Sequence, residues 1–393
     1  MAIQVPIERQ LDPFPYYRQM RESSPVYFDR ERWSWNVFKY DDVQEVLSVW
    51  KNFSSQFGGS QQNADDPSYP FAASMISSDP PRHRKLRNLV TQAFTPRAVE
   101  ALAPRIQSLV DSYLDRIMKQ GRMDVIADLG YPLPVTVIAE MLGIPSEDRE
   151  QFKRWSDSVV AIGNFGDNMD LGEFSHNTAV MQMSGYFMQM IQKRKLAPGE
   201  DLISGLLAAN IDGERLSLVE LLGFCVLLLV AGNETTTNLI GNALLAFTEH
   251  PEAWQHLRDH PDLLVNAIEE VLRYRSPVQA MFRRVANPVE LRGQAIPANS
   301  PAIAWIGSAN HDEEEFPEAS RFDITRTPNR HLAFGHGIHY CLGAPLARLE
   351  ARIALGAMVQ RFATVSRVPG VELERLPSLI VYGVRSLPIT FST

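Results

Sequence analysis

The stretch from Ser217 to Glu249 constrains the fold more than any other part of the chain. Ser217-Leu218-Val219-Glu220 reads as a capping box, in which the Ser hydroxyl and the Glu carboxylate each take the other residue's backbone N–H, so a helix starts there. The pattern predicts about 30 helical residues, roughly 45 Å at 1.5 Å per residue. Its middle is apolar on every side, which predicts burial on every side. The longest apolar run, Leu221 to Ala231, is shorter than the about 20 residues that cross a bilayer, so the helix is read as part of a protein core.

Further helical patterns fall at 12–24, 41–49, 97–120, 146–162, 175–195, 200–210 and 261–274. Another helix opens at Asp79-Pro80-Pro81, with Asp79 as its cap and proline in its first turn. Val26 to Tyr40 alternates and reads as a β-hairpin, and short strands are expected near 289–304 and 378–392. Residues 54–78 form a long polar and aromatic loop, a length that usually marks function. Helices far outnumber strands, so the fold class is mainly α. No Gly/Ser-rich linker breaks the chain and no repeat is evident, so 1–393 is read as a single domain.

Into the apolar helix fall Ala231-Gly232-Asn233-Glu234-Thr235-Thr236. An acid and a run of alcohols in a buried helix cost free energy unless paired. Gly232 and a Thr hydroxyl that takes its own i−4 carbonyl both favour a local kink. By themselves these residues fit a solvated helix end as well as a functional site.

A second unusual segment is Phe334-Gly335-His336-Gly337-Ile338-His339-Tyr340-Cys341-Leu342-Gly343, which carries one of the two cysteines. Cys341 directly precedes the helical pattern Leu346 to Ala351, and a helix N-terminus stabilises a thiolate. Gly337 and Gly343 let the backbone pass close to a flat group. One thiolate with no second cysteine nearby suits a haem iron better than zinc or an iron–sulfur cluster, which take several ligands. A structural cysteine beside a glycine turn, or a nucleophile with His336 or His339 as its base, remain open on these residues alone.

The pattern Phe-x-x-Gly-x-His-x-Cys-x-Gly, the acid–Thr pair inside a long helix, Glu270-Val271-Leu272-Arg273 upstream of the cysteine, and His83 with Arg87 after Asp79-Pro80-Pro81 occur in one order. Together with Phe322-Asp323-Ile324-x-Arg326 they resemble the cytochrome P450 family, bacterial soluble type, over essentially the whole chain. Residues 229–238 and 334–346 look most like a Bacillus-type branch that hydroxylates fatty acids, terpenoids and steroids. The resemblance implies the P450 fold, with small β-sheets and haem b (iron protoporphyrin IX) buried between two long helices.

It also implies roles. Cys341 is the axial iron ligand, flanked on the haem by Phe334, Gly335, Gly343 and Ala231. Glu234 and Thr235 relay protons during oxygen activation. His83, Arg87, Arg283 and His339 bind the propionates, with Arg284 the neighbour most easily confused with Arg283. Glu270 and Arg273 form a structural pair that closes on Arg326, Asn329, Arg330 or His331. Arg82, Arg84 and Lys85 face outward, towards an acidic redox protein. The substrate pocket takes Phe71, Met75, Ile76, Leu227, Val230, Ala231, Val278, Gln279, Ala280, Val381 and Tyr382, with the uncharged stretch 67–76 contributing the first three. A ligand hydroxyl or keto group would meet Gln279 or Tyr382. Met181, Met183, Met188 and Met190 form either an adaptable lid or ordinary core.

The activity so implied is a haem-thiolate monooxygenase that hydroxylates a hydrophobic small molecule with O2. Its electrons come from NAD(P)H through a ferredoxin or flavodoxin and a reductase, since no flavin or iron–sulfur segment is read in the chain. A peroxygenase and a non-enzymatic haem protein are the alternatives, and the Glu234-Thr235 pair argues against both. A net charge of −8 argues against nucleic acid. Met1 to Pro15, with Glu8, Arg9 and Asp12, reads as neither signal peptide nor membrane anchor, and two cysteines in different contexts fit a cytoplasmic protein. The resemblance implies a monomer.

Overall fold

In the computed structural model, which describes residues 11–57, 66, 71–152, 154–155 and 178–393, the capping box forms reciprocally. Ser217 N–H donates to Glu220 Oε2 at 2.8 Å and Glu220 N–H to Ser217 Oγ at 3.2 Å. The helix that follows, Leu218–Glu249, spans 32 residues and stays helical through 231–236. Gly232 also has a packing reason: a Cβ there would come within 2.8 Å of Ile138 Cδ1. The helix is long and apolar enough to cross a bilayer, longer than the apolar run alone indicates. Protein buries Leu221, Leu222, Cys225, Val226 and Leu229, and again Leu239 to Phe247, which makes it a core helix. It is not buried all round, however. Leu227, Val230, Ala231, Glu234 and Thr235 keep accessible surface and, at spacings of three and four, share one face.

The chain opens with α1 (Phe14–Ser23), β1 (Val26–Asp29), β2 (Ser34–Val37), α2 (Tyr40–Ser48) and β3 (Phe53–Ser54). Next come α3 (Arg82–Ala93), α4 (Pro96–Glu100), α5 (Ala103–Ile117), β4 (Arg122–Asp124), α6 (Pro132–Met141), α7 (Thr178–Leu196), α8 (Leu202–Ala208) and α9, the long helix Leu218–Glu249. After α10 (Pro251–Asp259) and α11 (Leu264–Tyr274) lie β5 (Met281–Val285), β6 (Val289–Leu291), β7 (Gln294–Ile296), β8 (Pro301–Ala304) and α12 (Ile306–Ala309). The chain closes with α13 (Ala344–Arg361), β9 (Thr364–Arg367) and β10 (Pro388–Ser392). The part of the expected 146–162 helix beyond 155, the start of the 175–195 helix and the Pro67-Ser68-Tyr69-Pro70 stretch lie outside the described residues.

The chain divides into two compact units, each assembled from separated segments. The first comprises Met1–Phe53, Ala103–Leu133 and Thr235–Thr393. It carries the sheets. One has the order β1-β2-β8-β5-β3, with the expected hairpin pairing Val26 to Val37 and β2 running parallel to β8. The others are β4-β10-β9 and the pair β6-β7. A core of Val37, Val43, Val46, Phe53, Val285, Ala304 and Leu332 packs between the large sheet and α2. Sequence reading missed β5, because adjacent Arg283 and Arg284 mask its alternation.

The second unit comprises Ser54–Leu102 and Pro134–Glu234. Here α8 packs on α3 and α7. Asp79 does not cap α3. The helix begins behind Pro81 with no side-chain cap, and the Asp79 carboxylate accepts from Ser54 Oγ and from Ser55 N–H instead. In α7, Met183 and Met190 are buried and Met181 is about half exposed, so the methionines split between core and surface.

Candidate active site

Cys341 ends a loop that closes on itself. Its N–H donates to Phe334 O at 2.9 Å, and Gly335 N–H donates to Leu332 O at 2.8 Å. Gly335 and Gly337 both have positive φ, at 74° and 72°. At Gly337 a side chain is doubly excluded, since a Cβ would also come within 2.7 Å of Ser48 Cα. Its neighbour is therefore α2 rather than only a flat ligand. Gly337–His339 forms a single 3-10 turn, and α13 starts three residues after Cys341, as the pattern predicts. No disulfide joins the two cysteines. Burial pushes the Cys225 thiol up to about 12, so it stays protonated and inert.

Helix α11 holds this loop through two neighbouring acids with separate partners. Glu270 and Arg273, both fully buried, form a bidentate pair with bonds of 2.8 Å. Arg273 also donates to Asn310 O and Ala319 O at 2.9 Å and to Arg321 O at 3.0 Å. Of the four expected partners, Arg326 (3.3 Å) and Asn329 (3.1 Å) reach Glu270. His331 turns to Glu269 at 3.0 Å, and Arg330 contributes its carbonyl to the Tyr40 hydroxyl at 2.6 Å. Arg348 of α13 forks onto Glu269, with Nε and Nη2 each 2.7 Å from a carboxylate oxygen. Burial works to raise the Glu269 carboxyl, but the Arg348 fork and then His331 bring it down to about 2. The sequence reading missed Glu269 and Arg348. The only signals were the Glu269-Glu270 doublet and an arginine two turns past the cysteine.

On α9, Glu234 and Thr235 end an uncharged stripe of Leu227, Val230 and Ala231. Burial raises the Glu234 carboxyl to about 7, so it exchanges a proton near neutrality. Asn242, two turns further on, donates to Arg275 O at 3.0 Å and to Tyr382 O at 3.1 Å, anchoring this helix within the first unit.

Three of the expected pocket residues are corrected. Gln279 is fully buried, accepts from Tyr17 Oη at 2.9 Å and donates to Ser276 O at 2.7 Å. Tyr382 is fully buried too; its hydroxyl donates to Leu11 O at 2.7 Å and accepts from Arg275. Both side chains are wholly covered by protein, with their polar atoms bonded inside the fold. Ala280 packs into the aromatic cluster of Tyr17, Phe38 and Trp305. Val278 forms a bridge with Val381, and both lie largely covered. Phe71 and Met75 are half-buried, while Ile76 is exposed.

The four donors expected at the propionates are described unit by unit. In the first, Arg283 is buried on β5 and donates to Phe282 O at 2.7 Å. Arg284 bonds Asn299 at 2.9 Å on the exposed side, which separates the two arginines. His339 is half-buried in the cysteine loop. In the second unit, His83 and Arg87 are one turn apart on α3. Burial, and then the Arg87 charge, hold His83 down to about 4, so its ring is neutral at pH 7. Arg82 and Lys85 are not free surface charges. They pair with Glu220 at 3.6 Å and Glu214 at 3.2 Å.

These residues fit a haem. Among the described residues no three metal-ligating side chains cluster, so the lone Cys341 thiolate suits a metal that arrives with its other ligands already supplied. Cationic and N–H donors suit carboxylate tails, and an uncharged helix stripe suits an apolar ring face.

The cytochrome P450 family model matches residues 8–381. "Cytochrome P450 109" of Bacillus spizizenii is 46% identical over 383 residues, covering 97% of this chain and 92% of its own. The solved structure of CYP109E1 from Bacillus megaterium in complex with testosterone is similar at a TM-score of 0.86 and 41% identity, covering 97% of this chain and 100% of its own. The same enzyme in complex with corticosterone matches at a TM-score of 0.86 and 41% identity, over 97% of this chain and 98% of its own.

Proposed function

The chain belongs to the cytochrome P450 family, and from that premise we propose that it hydroxylates apolar molecules of the steroid class, with Cys341 as the residue that would hold the iron of its haem b. As a P450 monooxygenase it works with redox-partner proteins on a small-molecule substrate. The observation that carries the ligand assignment is the loop closed by the Cys341 N–H on Phe334 O, directly ahead of α13. Support for the steroid class comes from the likeness to two steroid-bound structures and from the uncharged stripe Leu227, Val230 and Ala231. Fatty acids and terpenoids are the competing classes.

Bound haem supplies the oxygen chemistry. The chain's own residues do the rest. Cys341 Sγ would hold the iron and supply it with thiolate charge. Glu234, poised near neutrality, takes a proton from solvent, and the Thr235 hydroxyl, next in the chain, passes it on at the reacting end. Leu227, Val230 and Ala231 exclude water from one side and meet apolar substrate. His83, Arg87, Arg283 and His339 grip the propionates. Glu270 and Arg273 keep the loop's support folded. A ferredoxin or flavodoxin delivers the electrons, and the working form is a single-domain cytoplasmic monomer.

The test starts with the carbon monoxide difference spectrum of the reduced protein. The native chain should give the red-shifted band of thiolate ligation and Cys341→Ala should not. A native-type band in that variant would overturn the ligand assignment. Titration with testosterone, palmitate and a terpene alcohol should then give the tightest spin-state change with testosterone. A response to palmitate or the terpene alone would overturn the steroid class.

A further inference from the structure

Cys341 is not fixed by its own loop alone. Its N–H is held by the carbonyl of Phe334, so whatever fixes Phe334 fixes the backbone beneath the sulfur. The Phe334 ring lies against the Arg348 guanidinium, with Cζ 4.4 Å from the ring centroid. That is well inside the range of a cation–π contact. Arg348 is itself oriented by the two 2.7 Å bonds to Glu269, and its Nη1 reaches Tyr340 Oη at 3.2 Å. The second Glu269 oxygen also meets His331 Nε2, and Ala333 N–H donates to His331 Nδ1 at 3.2 Å. Glu269 and Arg348 thus set one anion and one cation in a planar fork beside Phe334.

This arrangement is separate from the buried pair one residue away. Glu270 is satisfied by Arg273, Arg326, Asn329 and the Asp323 N–H, and shares no partner with Glu269. It also differs from an ordinary surface ion pair, because the fork is bidentate and the cation is seated on an aromatic face.

We propose that Glu269 and Arg348 are positioning residues of the thiolate loop: they clamp Phe334, and through it Cys341, while their opposite charges cancel beside the sulfur. This deepens the function proposed above and rests on Cys341 being the iron ligand. Reduction of the metal adds one negative charge next to the loop. A lone cation there favours the reduced form and a lone anion disfavours it. In the native protein neither acts alone.

The test is a redox titration of the purified holoprotein, without substrate or redox partner. Glu269→Gln leaves the Arg348 cation unbalanced and should raise the midpoint potential. Arg348→Met leaves the Glu269 anion unbalanced and should lower it. The double variant should return close to the native value. Arg348→Lys keeps the charge but loses the planar face, so its potential should stay near native while a larger share of its carbon monoxide complex shows the non-thiolate band. Should Arg348→Met not fold, the Glu269→Gln and Arg348→Lys pair carries the test. Shifts of the same sign in both charge variants would overturn the proposal, since simple loosening of the loop moves both the same way. Unchanged potentials with native spectra would also overturn it. Failure of the underlying ligand assignment looks different, because the native protein itself would then lack the thiolate band.

Discussion

Glu234 shows how one buried carboxyl writes itself into the pH dependence of the whole protein. Its folded pKa is raised from an ordinary 4.5 to about 7 by burial. Between those values the folded chain binds more protons than the unfolded one, so stability falls as pH rises through that window. Glu234→Gln removes that loss. Below pH 4.5 the two proteins should melt together, and above pH 7 the variant should be more stable by at most about 3 kcal/mol. Thermal unfolding between pH 4 and 8 checks this, and parallel profiles would mean the carboxylate ionises at no cost. Glu350 adds a slope of the same sign that extends higher, since burial raises it to about 8 and its Oε2 lacks a partner among the described residues. It is present in both proteins and cancels in the comparison. At this scale the Glu270–Arg273 pair was legible because its chemistry is concentrated in a few consecutive residues. Gln279 and Tyr382 were not. Their polar groups are consumed by Tyr17 and by the Leu11 carbonyl, far away in sequence and visible only once the chain is folded.

Among the elements, α11 acts as an anchor for the irregular chain between Asn310 and Asn329. One guanidinium, Arg273, ties three carbonyls of that stretch to the helix. Arg273→Ala leaves the Glu270 carboxylate buried without its bidentate partner and strands those carbonyls. Removing one member of such a pair costs about 3–5 kcal/mol. Urea unfolding, or the yield of folded protein where the loss exceeds what the chain tolerates, should show it. A change below about 1 kcal/mol would mean that Arg326 and Asn329 suffice. Helix starts were readable where the capping chemistry is local, as at Ser217. The start of α3 was misjudged because the Asp79 carboxylate goes to Ser54 and Ser55, a choice set by tertiary structure. Strand β5 was hidden by its arginines, although Arg283 belongs in it because that strand buries one of its two neighbouring guanidiniums and exposes the other.

For the molecule as a whole, motif order carried the fold further than local pattern did. Four motifs in sequence implied the family, while the division into two compact units left no mark in composition, since α6 and α9 run straight across its boundaries. Haem bound to the native chain should stabilise it as any ligand of the folded state does. At a hundredfold excess over its dissociation constant that amounts to about 2.7 kcal/mol. The melting temperature of the haem-free protein should rise on adding haem, and the rise should shrink in Cys341→Ala. An unchanged melting temperature would mean that haem binds without favouring the folded form.

The internal commitment of Gln279 and Tyr382 has a consequence for the kind of catalyst this is. With those polar groups occupied, the accessible stripe of α9 presents only hydrocarbon until Glu234. On the assignment proposed above, a wall of that sort would sort its guests by outline and give them no handle, and one compound should be oxidised at several carbons. Fidelity would then be a matter of contour, and a single methyl group added or removed at Leu227, Val230 or Ala231 should redistribute the products without touching the chemistry.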